Sequence, residues 1–84
     1  MDEKTFRALV DAGALRRVRI IANGARIHIE ADTAAGTLVP TTGKGSPRTF
    51  ATLDAAARWM RRLGLGTAYL DVSRWQPGQR SLAV

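Results

Sequence analysis

The chain has 84 residues, no cysteine, and thirteen basic against seven acidic residues, for a formal net charge of +6. This length holds one hydrophobic core, and the absence of thiols excludes disulfides, thiolate metal sites and cysteine nucleophiles. No apolar run approaches the roughly 20 residues of a membrane span, and the polar start Asp2–Lys4 is unlike a signal peptide, so a cytoplasmic protein without membrane contact is expected.

The charge favours anionic partners, whether nucleic acid or an acidic protein surface. Its source is eleven arginines alongside abundant alanine, a composition that a GC-rich coding sequence also produces.

Glu3–Ala12 reads as a first helix, with Phe6, Leu9 and Val10 on one face and Gly13 just past its end. Two runs of alternating apolar residues then flank Asn23-Gly24, the pattern of a hairpin closed by a type I′ turn. A two-residue loop at Asn23-Gly24 would oppose Ala22 to Ala25, Ile20 to Ile27 and Val18 to Ile29 on an apolar face. The other face would pair Ile21 with Arg26, Arg19 with His28 and Arg17 with Glu30. One side of the hairpin is therefore core, and the other presents Arg17, Arg19, Arg26 and His28.

Asp32–Gly36 reads as a loop and Thr37–Thr41 as a third strand, which Pro40 confines to an edge or terminates because it cannot donate to a ladder. Thr42–Pro47 is a glycine-rich polar loop. Gly43-Lys44-Gly45 within it could cradle a phosphate, but the stretch lacks the P-loop spacing.

The second helix is the most strongly specified element. Thr52 is a good N-cap and Asp54 suits the first turn. Leu53, Ala56, Ala57, Met60 and Leu63 form an apolar stripe with Trp59 at its flank, and Gly64 can take the left-handed conformation that stops a helix at about residue 63. Arg58, Arg61 and Arg62 lie off the stripe as a basic ridge, either a solvated outer face or an anion-binding surface. Thr67–Val72 reads as a fourth strand with Ala68, Leu70 and Val72 inward, and Ser73–Val84 as a tail that Trp75 and Pro77 could pin to the body.

The expected architecture is thus a single α+β domain over residues 1–78 in α-β-β-β-α-β order. It has an antiparallel, hairpin-led sheet with both helices on one face, and 79–84 form a disordered tail. If strands three and four were adjacent and parallel, their crossover would be right-handed.

No constellation assembles into catalysis. His28 has no serine or second histidine near it in sequence, and Asp54 and Asp71 fall on different elements, so an enzyme, a metal site and a cofactor are not expected. The element order and basic loop look superficially like a double-stranded-RNA-binding domain. That family's lysine pair at the second helix is replaced here by only Lys44 and Arg48, around a proline.

Arg48-Thr-Phe-Ala-Thr-Leu-Asp-Ala-Ala, Leu63-Gly64-Leu65 and Leu70-Asp71-Val72-Ser73-Arg74-Trp75-Gln76-Pro77-Gly78 resemble a group of small plasmid-borne, partition-associated (ParC-like) proteins. The likeness is most distinctive over residues 48–78, and its motifs are structural: a helix cap, a helix stop and a strand exit. It implies a plasmid or mobile-element setting and a non-enzymatic helper role in DNA segregation or maintenance.

Two functions fit. In the first, the domain contacts DNA through the hairpin face, with Arg17, Arg19, Arg26 and His28 helped by Lys44 and Arg48, since strands can present side chains to the major groove. In the second it is an adaptor or inhibitor acting on a partition ATPase or on a host nucleic-acid-processing or defence complex. The same six residues would then meet a protein, and an exposed apolar patch including Ile21 and Trp75 would be expected. A homodimer is compatible with both.

Overall fold

The computed structural model describes residues 1–76. In chain order the elements are α1 (Glu3–Asp11), β1 (Arg17–Gly24), β2 (Arg26–Thr33), β3 (Gly36–Leu38), β4 (Thr49–Phe50), α2 (Leu53–Arg62) and β5 (Tyr69–Trp75). They form a small α+β domain. The strands make one mixed, mostly antiparallel sheet in the order β3-β2-β1-β5, with the short β4 also paired to β2. The expected order therefore gains a strand, β4, whose two residues are too few to leave a periodic signal.

Both helices are defined at each end by local chemistry. The Asp2 carboxylate accepts from the Thr5 amide (2.8 Å) and the Thr52 hydroxyl from the Ala55 amide (3.0 Å), each satisfying a first-turn donor that has no partner inside the helix. At the C-termini, Gly13 (φ 68°) and Gly64 (φ 96°) supply the left-handed residue. The amides of Gly64 and Leu65 donate to the carbonyls of Arg61 and Met60, and those of Gly13 and Ala14 to Val10 and Leu9. This paired pattern is the Schellman motif.

The hairpin has the expected faces but a different register. Ile20 opposes Ile29, Ala22 opposes Ile27 and Asn23 opposes Arg26, so Gly24-Ala25 occupy the turn. A type I′ turn needs positive φ at both central residues. Here Gly24 alone is positive (φ 63°) and no non-glycine residue is, which is the pattern of a type II′ turn with glycine first. The shift is two residues, an even number, so the alternation survives it. Val18, Ile20 and Ala22 of β1 still share the buried face with Ile27, Ile29 and Ala31 of β2.

That face packs beneath the helices. Phe6 from α1 and Ala56, Trp59 and Met60 from α2 complete the core together with Leu63. Trp59 is central to it rather than flanking it: it is 2% exposed, and its ring lies 5.7 Å from those of both Phe6 and Phe50. Its indole N–H donates to Glu3 Oε1 (2.8 Å), the polar partner that a buried tryptophan needs.

The remaining differences lie outside the hairpin and helices. β3 stops at Leu38, before the fully buried Pro40, and stands at the sheet edge. The stretch after it is a hydrogen-bonded turn closed by the Thr41–Pro47 bridge, rather than an irregular loop.

β5 runs to Trp75, so Ser73–Trp75 are strand, not tail; Pro77 and the tail expected over 79–84 lie outside the described residues. β5 pairs in parallel with β1 rather than with β3. Its residues are exposed along the whole strand, Leu70 and Val72 included, because no helix extends over it.

Candidate interaction surfaces

Three surfaces carry the residues singled out by sequence: the outer face of the sheet, the turn before β4, and the outer side of α2.

On the outer face, the observed register changes what the cations meet. Arg19 opposes Glu30, and Arg17 opposes Asp32. Arg19 Nη2 lies 2.7 Å from Asp32 Oδ1 and 3.3 Å from Glu30 Oε1. His28 Nε2 lies 2.8 Å from Glu30 Oε2. The Arg17 guanidinium stands over the Tyr69 ring at 4.7 Å, a cation–π contact. Arg26, at the hairpin end, is exposed.

Two of these carboxylates sit in donor-rich surroundings. The Thr37 hydroxyl and then the Arg19 guanidinium hold Asp32 below the ordinary carboxylate value of 3.8. Asp71 is held low mainly by the hydroxyl and amide of Ser73, at 2.7 and 3.0 Å. Arg17, Arg19, Arg26 and Arg74 thus share this face with three carboxylates, Glu30, Asp32 and Asp71. Between them lies a shallow hollow of about 420 Å³ lined by Arg19, Ile21, His28, Glu30, Asp71 and Ser73, among others. Phosphate binding requires cations whose charge is not already matched, and this face is close to balanced.

Lys44 and Arg48 have different fates. Lys44 is exposed at the tip of the Thr42–Ser46 turn. The backbone there is committed internally: the Gly45 amide donates to the Thr42 carbonyl (2.9 Å) and the Lys44 amide to the Thr42 hydroxyl (3.3 Å). These amides are not free to cradle a phosphate. Arg48 is drawn inward, its guanidinium 5.4 Å from the Trp59 ring centroid and its Nη2 3.8 Å from Glu3 Oε1. Arg48, Trp59 and Glu3 form one cluster that ties α1 to α2.

The basic ridge of α2 is exposed as expected. Arg58 pairs with Asp54 one turn earlier (2.9 Å). Arg61 and Arg62 lie in the last turn, where the helix dipole favours cations, and have no acidic partner among the described residues. Beside Arg61 runs a groove of about 200 Å³ lined by Ile20, Ala57, Met60, Leu65 and Ala68, among others.

The groove leads to β5, of which the sequence reading placed Leu70 and Val72 inside. Tyr69, Leu70, Val72 and Trp75 of β5 are 62%, 53%, 43% and 36% exposed. Leu70 pairs with Ile20, whose side chain is in the core, so the apolar face of the sheet continues past the cover of the helices. Trp75 was flagged from sequence, whereas Ile21, flagged with it, is half-buried in the outer hollow. The alternation of Ala68, Leu70 and Val72 gave the correct face. What it could not give was the reach of α2 across that face.

Together these features define a small mixed-sheet α+β domain with one uncovered apolar edge. No known protein family, curated protein or solved structure matches the chain.

Proposed function

We propose that this chain is a non-enzymatic protein-interaction domain that meets its partner through β5 and the groove beside it. The observation that carries this reading is the large apolar side chains left open on β5, with Leu70 and Trp75 on the core side of the sheet, in a domain whose buried apolar residues close into one core. Exposed apolar patches of this kind mark interaction sites more often than bare surface. The resemblance to partition-associated proteins supports a mobile-element setting, in which the partner would be a partition ATPase or a host nucleic-acid-processing or defence complex.

The test is selection of binding peptides from a displayed library, with a Leu70→Ser/Trp75→Ser double variant as the counter-target. Extended peptides with alternating apolar residues, bound by the wild type and not by the folded variant, are the expected result. Enrichment of no such peptide by monomeric wild type, or peptides that bind both proteins equally, would overturn the reading.

Nucleic-acid contact is the second reading. It is favoured by Arg26, Lys44, Arg61 and Arg62, which are exposed and without a carboxylate partner among the described residues, on a chain of net charge +6. It requires affinity for duplex DNA that falls steeply with salt as counterions are released. Fluorescence anisotropy over a salt series checks this, with Arg26→Ala/Lys44→Ala and Arg61→Ala/Arg62→Ala variants to locate the surface. Absence of binding at low salt would remove this second reading.

A further inference from the structure

We propose that the free edge of β5 pairs antiparallel with β5 of a second copy of this chain, so that two sheets join into one. This rests on the reading of β5 as the contact surface and names its occupant.

β5 is the last strand in the order β3-β2-β1-β5, so one of its edges faces no other strand among the described residues. Free edges are normally blunted by shortness, by proline, by lysine, by a bulge or by a covering element. β5 has seven residues, none of them proline or lysine, and a single bulge; no element among the described residues covers it. An edge of this length, flanked by exposed apolar side chains, is a template for strand addition on either side of its one bulge.

The choice of a second copy follows from the order of residues along the strand. Ile21 and Asn23 of β1 share one face, and their partners in β5 are Asp71 and Arg74. A register irregularity between these pairs places one extra residue in β5, and it brings Asp71 and Arg74 onto the same face although they are three apart. Leu70 pairs with Ile20 and Trp75 with Gly24, so these two share the opposite, apolar face. An antiparallel pair that sets Asp71 against Arg74 therefore also sets Leu70 against Trp75. By two-fold symmetry each pairing occurs twice, which is the self-complementarity an isologous interface requires.

Charge on the rest of the molecule does not oppose this locally. The chain carries +6, but Asp71 and Arg74 leave the strand itself neutral. A different protein would have to supply both an acid–base pair and an apolar pair in the same register, whereas a second copy supplies them automatically.

The experiment is sedimentation velocity on the full chain over a concentration series reaching about 100 μM, which reports any dissociation constant tighter than that. The wild type should be dimeric at the upper end. Arg74→Asp leaves the Asp71–Ser73 hydrogen bonds in place and puts two acids opposite each other twice per dimer. It should weaken association at least about tenfold, since like-charge juxtaposition is costly, while circular dichroism stays unchanged. Asp71→Arg should do the same, and the exchange Asp71→Arg/Arg74→Asp should recover association.

A wild type that stays monomeric throughout, or an exchanged variant no better than either single variant, would overturn the proposal. A monomer that still captures peptides lost by Leu70→Ser/Trp75→Ser sinks self-pairing alone. A monomer that captures none sinks the interaction reading with it.

Discussion

β1 and β5 are neighbours in one sheet and run in the same direction, yet they face opposite fates. Every second residue of β1 is buried from Val18 to Ala22, while β5 is exposed at all seven positions. Leu70 and Trp75 of β5 lie on the same side of the sheet as Val18, Ile20 and Ala22 of β1. What separates them is cover. α2 and Phe6 lie across the hairpin, whereas β5 continues past the edge of the helical layer. Alternation therefore fixes which way a side chain points, and tertiary cover decides whether pointing that way removes it from water.

The comparison breaks most violently at Trp59, whose ring is the centre of the cover. Trp59→Ala should cost about 3–5 kcal/mol, the usual range for deleting a buried aromatic, and chemical denaturation will measure it. Gly24 is the next largest lever, because it closes the β1–β2 turn with φ of 63° while its carbonyl accepts from the Gln76 amide at the end of β5. Gly24→Val should cost roughly 1–2 kcal/mol from backbone strain alone. It should also loosen β5, seen as faster amide exchange in that strand.

Thr52→Ala removes the cap of the covering helix and should cost about 1 kcal/mol, with a matching fall in thermal midpoint. On the uncovered side, Leu70→Ser in dilute, monomeric protein should change stability by no more than about 0.5 kcal/mol, as for an ordinary surface position. A loss of several kcal/mol there would show that β5 is covered after all.

The smallest effect is electrostatic. Asp32 is held below 3.8 in the folded chain, so its contribution is present in full above that value and is lost as pH falls through the depressed one. Asp32→Asn should flatten the decline in stability between pH about 5 and about 2, as read from melts across that range. It should leave behaviour above that window with little pH dependence of its own.

The features legible from sequence were those decided within one turn of chain. Thr52 and Gly64 specify their helix ends through hydrogen bonds that span three to five residues, so their roles followed directly from residue type. The hairpin faces were legible because alternation tolerates an even slip in register. The register itself was not, since Asn23-Gly24 is compatible with two turns that differ in which residue takes the positive φ.

That slip of two residues carried the candidate site with it. It moved Arg19 from opposite His28 to opposite Glu30, within reach of Asp32, and so gave a cation expected to be free two carboxylate partners. Arg48 was illegible for a related reason. Its place above Trp59 depends on the packing of α1, α2 and the β4 turn, which no window of sequence contains.

The parallel pairing of β1 with β5 also orders events in time. Arg19 and Tyr69 are partners, yet the whole of β2, β3, β4 and α2 is threaded between them. The hairpin closes over two residues and can form as soon as both its strands exist. β5 must wait for nearly the entire chain, and contacts of such long sequence separation form late. Until it docks, β1 is itself the bare edge of the sheet. The last strand to arrive is thus the one that protects the first, and on unfolding it should be the first to leave, exposing β1 to any extended segment nearby.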